Sequence, residues 1–463
     1  MKKYERYKRA IRLMASLILV VALVLVYRAA WYGFISPTTG VWYWRRGNWV
    51  IMGLYSALIL FFSTMYGGFR LGDLEKGNVI YSQILSLLIV NFITYIQVSL
   101  LAYSFRALWI FVVLMACDVV IITAWAQIYA VIYRRMFPPR RLLLVYGQLH
   151  ALELLGKLRQ REDRYLIEKI VSAEIGEDAV MEMAEDYDGV ILCDIPTPAR
   201  NFILKACFER SIRVYMTPKI SDILVRTSRE MHTFDTPLLL SRNNGLSAEQ
   251  QLGKRCLDIL VSVCMLILIS PVMFATAVAV KLYDGGSVLY KQKRLTLNGK
   301  EFYVYKFRSM RMDAEKDGVA RLASENDDRI TPVGKLIRMT RIDELPQLWN
   351  VLKGDMSLVG PRPERPEIAA EYETWLPQFK SRLKVKAGLT GYAQIYGKYN
   401  TTPYDKLKLD LTYIQNYSFI LDLKLLLLTV KILFMKESTE GVSSYEDKPG
   451  QRPGGWGQRD GNG

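Results

Sequence analysis

Four long apolar runs dominate the first 135 residues of this chain. A basic stretch ending at Arg12 leads into the first run, which reaches Tyr27, and three more follow at roughly 49–66, 79–103 and 107–133. At about 1.5 Å per residue, each run is long enough to cross a hydrocarbon core of about 30 Å. A four-helix transmembrane bundle over 1–135 is therefore expected. No small-residue cleavage site follows the first run, which argues against a secretory signal. Four spans bring the chain back to its starting side, and the basic N-terminus with Arg134-Arg135 and Arg140-Arg141 marks that side as cytoplasmic. Arg28 and Arg45-Arg46 then fall in the outer loop, against this tendency, and Trp42, Trp44 and Trp49 are expected to hold that loop at the headgroups.

Over 136–245 the pattern becomes that of a water-soluble α/β module. Arg141 to Gly147 reads as a buried strand followed by a helical stretch through Leu158, with further strands at Gly189–Cys193 and Ile212–Tyr215. Strands alternating with helices predict a small parallel sheet. Dinucleotide binding fails on residues, because Gln148, Leu149 and His150 follow Gly147 and no second glycine lets a pyrophosphate approach the backbone. The expectation is a Rossmann-like module without a cofactor, used for packing or association.

Another apolar run covers 256–282, with Lys254-Arg255 before it and Lys281, Lys291, Lys293 and Arg294 at its end and beyond. A simple crossing would place one basic cluster outside. Midway lie Ser270 and Pro271; proline removes a backbone donor, and a serine hydroxyl can bond a freed carbonyl. A re-entrant helix–break–helix over 254–282 satisfies both observations, with a kinked transmembrane helix as the alternative.

Beyond this run, alternation from Phe302 to Met310 suggests a strand whose basic positions, Lys306 and Arg308, share a face. Thr331-Pro332 reads as the N-cap and first residue of a helix carrying Lys335, Arg338 and Arg341. The adjacent carboxylates Asp343 and Glu344 follow, with Asp343 as an expected N-cap, Pro346 in the first turn and Gly354 as the stop. Gly360-Pro361-Arg362-Pro363 restricts the backbone on both sides of Arg362 and so presents its guanidinium with little freedom. An acidic pair at a helix start is by itself ordinary capping; the density of basic residues around it is what a polyanion site needs.

Composition narrows the class. The chain has 463 residues, 51% hydrophobic and 23% charged, so membrane and aqueous parts must alternate. The net charge of +16 is dispersed, which fits anionic headgroups and an anionic substrate, and no basic stripe with interleaved aromatics points to nucleic acid. The five cysteines (117, 193, 207, 256, 264) have no C-x-x-C spacing, and His150 and His232 lie far apart, so neither disulfides nor a zinc site is expected. The segment 438–463, rich in Gly, Pro, Ser and charge, is expected to be a disordered cytoplasmic tail.

The run from about 251 to 436 resembles the catalytic domain of the bacterial sugar transferases, the monotopic polyprenyl-phosphate phosphoglycosyl transferases. The resemblance is carried by Lys254-Arg255 with Asp258, Ser270-Pro271, Lys306-Phe307-Arg308-Ser309-Met310, Asp343-Glu344-Leu345-Pro346-Gln347, Lys353-Gly354-Asp355-Met356-Ser357, Gly360-Pro361-Arg362-Pro363 and Gly388-Leu389-Thr390-Gly391. With the spans and the α/β module, the whole chain is similar to the long form of that family. This implies a membrane protein of several domains, with an α/β catalytic domain over 246–437 behind the bundle (1–135) and the module (136–245).

The resemblance further implies transfer of a sugar-1-phosphate from a UDP-sugar to undecaprenyl phosphate, starting a capsule, exopolysaccharide or O-antigen repeat unit. The catalytic face would lie on the cytoplasmic side of the bacterial inner membrane. It assigns Asp343 as nucleophile and Glu344, with Asp343, as holder of Mg2+. Lys306, Arg308, Arg338 and Arg362 become phosphate or nucleotide contacts, and Asp410 a shared acidic position. A second copy of the chain and downstream glycosyltransferases are candidate partners. Thr296, Ala387, Tyr392 and Tyr396 depart from the family's usual residues and bear on sugar preference. Two other readings compete: a non-catalytic membrane scaffold of a polysaccharide assembly complex, and a multi-span transferase acting by single displacement.

Overall fold

The computed structural model describes residues 5–41, 45–105, 107–147, 151–241, 245–311, 329–397 and 401–433. Trp42, Trp44, the Gln148-Leu149-His150 stretch and the 438–463 tail lie outside them. The chain divides into two compact units, Met1–Ile223 and Leu224–Gly463.

In the first unit, helices Lys8–Ala30, Arg45–Tyr66, Lys76–Ala102 and Leu108–Met136 are all long and apolar enough to cross a membrane. The first runs further than the apolar run predicts: a π-turn at Trp31–Ile35 and a short helix Ser36–Thr39 carry it to Gly40. Trp31 and Ile35 are buried, and this packing keeps the helix going past the polar Arg28. Tyr27 stacks on Tyr55 at 3.9 Å, within a core that also holds Leu19, Leu23, Ile59, Leu87 and Ile122. Polar side chains inside the helices pair with one another: Tyr55 donates to Asn91 Oδ1 and Asn91 Nδ2 to Asp118, both at 2.9 Å. Hydrocarbon offers these groups no alternative partner.

The same unit holds a parallel sheet of β1 (Arg140–Tyr146), β2 (Tyr165–Ser172), β3 (Gly189–Cys193) and β4 (Arg213–Met216), ordered β2-β1-β3-β4. Leu142 to Val145 have no exposed surface, which is why β1 reads as a continuous apolar run. β2 has no counterpart in the sequence pattern: it is an edge strand with Glu168 and Lys169 in its middle and Leu166 and Ile170 exposed, so neither burial nor alternation marks it. The loop joining the second and third apolar helices is tied down by Asp73, which pairs with Arg12 (2.6 Å) and Arg164 (3.2 Å) and accepts at its carbonyl from Arg161 (2.9 Å). Glu5 binds Arg140 and Arg213. The N-terminus, this loop and the sheet therefore lie on one side of the helices.

The second unit contains a fifth apolar helix, Ala248–Asp284, opened by a Ser247–Gln250 capping box. The backbone stays helical through Ser270-Pro271 instead of breaking there. Pro271 cannot donate to the carbonyl of Ile267, and Ser270 Oγ does so instead at 2.9 Å. Both flanks of the helix pack on the rest of the unit. Lys254 meets Asp422 and Asp258 accepts from Ser357 and Leu358 N, while Asp284 pairs with Arg308. Between these anchors Leu260, Ile267, Leu268 and Phe274 are exposed, an apolar middle suited to lipid. Among the described residues this α/β unit has three two-stranded sheets: antiparallel Arg229–Thr233 with Thr236–Leu240, antiparallel Leu289–Leu295 with Glu301–Phe307, and parallel Ser357–Val359 with Gly388–Thr390.

Candidate active site

The helix Pro332–Met339 starts as expected, with Thr331 Oγ1 accepting from Gly334 N at 2.9 Å and Pro332 in the first turn. It is followed by Arg341, whose left-handed φ of 56° turns the chain sharply. Ile342–Glu344 then forms a 3-10 turn, and the next helix begins only at Gln347 and ends at left-handed Gly354. Asp343 is therefore not the N-cap of that helix. Pro346 has no N–H to close the α-type bond back to Ile342, so the chain closes tighter bonds, Glu344 N to Arg341 O and Leu345 N to Ile342 O, each 3.2 Å.

Two cations from separate elements converge on Glu344. Lys306 Nζ, from the strand Glu301–Phe307, and Arg362 Nη2, from the Pro-Arg-Pro loop, each lie 2.8 Å from its Oε1, and Arg341 is 3.9 Å from Oε2. Asn350 fixes the strand beside them, donating to Tyr303 O (2.8 Å) and accepting from Tyr305 N (3.1 Å). Burial opposes the charge on Glu344, but Arg362 and Lys306 outweigh it and hold the carboxyl well below its ordinary range. Asp343 goes the other way. Burial, then the neighbouring Glu344 charge, pushes it up to about 6, although Lys306, Arg338 and Arg362 pull it down.

Of the residues singled out in the sequence, Asp343, Glu344, Lys306, Arg338 and Arg362 form this cluster. Arg308 does not join it: one residue past the strand end, it is buried in an ion pair with Asp284. Asp410 is also buried elsewhere, 2.8 Å from Arg382. Ser270 and Pro271 lie in the exposed middle of the long helix. Residues that sequence reasoning passed over include Glu364, Arg382 and Lys406, which with Arg294, read in the sequence only as a basic flank, pack around the Arg362 loop; the signal available was that Glu364 directly follows Pro-Arg-Pro.

Four cations face two carboxylates, an excess of positive charge suited to a bound polyanion. Among the described residues no group of three or more His, Cys, Asp or Glu forms a metal cage. One or two carboxylates completed by substrate phosphates and water is nonetheless how Mg2+ is commonly held. A carboxyl pushed up by burial and a neighbouring negative charge, as Asp343 is, fits such an ion.

Residues 249–436 match the family described as bacterial sugar transferase. Over 233 residues the chain is 38% identical to the UDP-N-acetylgalactosamine-undecaprenyl-phosphate N-acetylgalactosaminephosphotransferase of Aeromonas hydrophila, covering 50% of this chain and 54% of that protein. It is 39% identical over 227 residues to the UDP-glucose:undecaprenyl-phosphate glucose-1-phosphate transferase of Escherichia coli (strain K12), covering 48% and 49%. An uncharacterized sugar transferase of Bacillus subtilis (strain 168) is 42% identical over 188 residues, 40% of this chain and 90% of that protein. The match spans about half the length of the first two relatives and nearly all of the third. This chain belongs to the bacterial sugar transferase family, as a membrane protein with five helices, among the described residues, long and apolar enough to cross a bilayer.

Proposed function

We propose that the protein transfers a sugar-1-phosphate from a UDP-sugar to undecaprenyl phosphate, releasing UMP, as the first step of a capsule, exopolysaccharide or O-antigen repeat unit. One observation carries the reading: two adjacent carboxylates in a single tight turn have opposite electrostatic environments, Glu344 fixed by Lys306 and Arg362 and Asp343 left as the more basic of the pair. The donors and acceptor in the names of the relatives support it.

In this mechanism an Asp343 oxygen attacks the phosphorus that bears the sugar, and the bond from that phosphorus to the UMP oxygen breaks. The resulting sugar-phosphoryl-aspartate is attacked by an oxygen of undecaprenyl phosphate, which displaces the Asp343 carboxylate. Splitting the transfer lets UMP leave before the lipid phosphate approaches, so the site never has to hold the donor diphosphate and the acceptor phosphate together. Lys306, Arg338 and Arg362 neutralise the diphosphate, and the ion pairs to Glu344 keep two of these cations placed before substrate arrives. Mg2+, held by Glu344 and Asp343, would supply further charge neutralisation at the diphosphate and the leaving UMP.

The same reading places the catalytic unit on the cytoplasmic face of a bacterial inner membrane, with the exposed apolar middle of Ala248–Asp284 against its lipid. The test is UMP release by the detergent- or nanodisc-held protein with Mg2+ across a panel of UDP-sugars, with and without undecaprenyl phosphate. Lipid-dependent release with one or two sugars is expected, reduced about a thousandfold or more in Asp343→Asn. Activity of that variant within about tenfold of the parent would remove Asp343 as nucleophile, and no release with any sugar would favour a scaffold.

A further inference from the structure

The loop that carries Arg362 rests on a buried charge network with no place in the steps above. Four consecutive carbonyls of this loop accept bonds from other parts of the unit. Gly388 N donates to Pro361 O (2.9 Å), Arg382 Nη2 to Arg362 O (2.9 Å), Arg294 Nη1 to Pro363 O (3.0 Å) and Leu295 N to Glu364 O (3.0 Å). Two of these donors are guanidinium groups, and the Glu364 carboxylate lies between them. Its Oε1 is 3.4 Å from Arg382 and 3.0 Å from Lys406, and its Oε2 is 4.0 Å from Arg294. On its other side Arg382 meets Asp410 at 2.8 Å, and the two side chains are 3% and 1% exposed.

Enclosed ion clusters add little net stability over well-packed apolar residues, because desolvating the charges offsets their attraction. They do define geometry. Pro361 and Pro363 restrict rotation at their own residues, but the peptide plane after Arg362 is set by what its carbonyl bonds. That partner is Arg382, which Glu364 on one side and Asp410 on the other hold in reach.

We propose that Glu364 and Arg382 are positioning residues for Arg362, setting where its guanidinium meets Glu344 and the donor diphosphate. This rests on the function proposed above. It assigns the network a purpose in turnover separate from folding: a guanidinium displaced by about 1 Å no longer serves the transition state, at a cost of up to about a hundredfold.

The test uses the full-length protein in nanodiscs with UDP-glucose, or whichever UDP-sugar the parent turns over, and undecaprenyl phosphate. Arg382→Gln and Glu364→Gln are each expected to lower kcat/KM by about ten- to a hundredfold. Arg382→Lys, which can keep one of its contacts to Arg362 O, Glu364 and Asp410, should recover part of the loss. The double variant Arg362→Lys with Arg382→Gln should be no worse than Arg362→Lys alone, since both changes act through one group. Losses that multiply would overturn the proposal. Hydrogen–deuterium exchange at the Leu295 and Gly388 amides, which donate to Glu364 O and Pro361 O of this loop, reads the placement without turnover. It should speed up in both glutamine variants while the Asp258 anchor region stays protected, and unchanged exchange in either folded variant would overturn the proposal. If the parent releases no UMP from any UDP-sugar, the functional reading fails, and the exchange arm alone decides whether the network positions Arg362.

Discussion

Asp343 and Glu344 are consecutive residues whose different electrostatics come from what reaches each carboxyl. Glu344 receives Lys306 and Arg362 directly, whereas Asp343 is half-buried beside the charge that those cations stabilise. Its pKa, raised from 3.8 to about 6, has a consequence for stability. The folded protein holds this proton more tightly than the unfolded chain, so stability falls as pH rises from about 4 to about 6 and stays lower above that. Removing the ionisable group should therefore stabilise the fold at neutral and alkaline pH while abolishing transfer. Asp343→Asn is expected to melt higher than the parent at pH 8, by on the order of 1–3 kcal/mol, with the gain shrinking towards pH 4. Thermal melts of the two proteins across that range check this; a variant that melts lower at pH 8 would show that burial is not what raises the pKa.

At the scale of elements, the site depends on how closely the helix Pro332–Met339 sits on the chain leaving the strand Glu301–Phe307. A Cβ placed on Gly334 would lie 1.9 Å from the carbonyl oxygen of Ser309, so only glycine lets the two backbones approach. Gly334→Ala should push the helix away, at about 1–3 kcal/mol of stability. Because Arg338 is on that helix, UMP release should fall as well. An alanine variant with parental melting and activity would mean that the helix moves freely on its support. The long helix illustrates a different local rule. Its proline is tolerated because the preceding serine bonds the one carbonyl that the proline leaves unpaired, so a helix end and a proline in a sequence need not coincide.

Across the whole molecule, the contacts of Asp73 and Glu5 make a topology prediction for the first unit. The loop around Asp73 shares a side with the N-terminus and the parallel sheet, which puts the turn near Ser104 on the opposite side. In intact cells an impermeant thiol reagent should label Ser104→Cys and leave Arg70→Cys unlabelled until the cells are lysed; the reverse pattern would invert the bundle.

The long apolar helices were legible in the sequence because a length and a hydropathy sufficient to cross a bilayer are properties that neighbouring elements do not alter. β1 and β3 were legible for a similar reason, as their burial on both faces leaves continuous apolar runs. The acidic pair, the Pro-Arg-Pro turn and the Thr331 cap are likewise local, each defined by a few adjacent residues. Tertiary structure decided the pairings. Lys306 and Arg362 reach Glu344 from 38 and 18 residues away, Arg308 goes to Asp284, and Asp410 goes to Arg382. It also placed Asp343 in a 3-10 turn and made an edge strand of Tyr165–Ser172, whose charged middle carries no periodic signal. Patterns of period 2 or 3.6 report which face of an element is buried. They do not report which charges from distant elements meet, because that depends on the packing of elements whose order in space the chain's order does not contain.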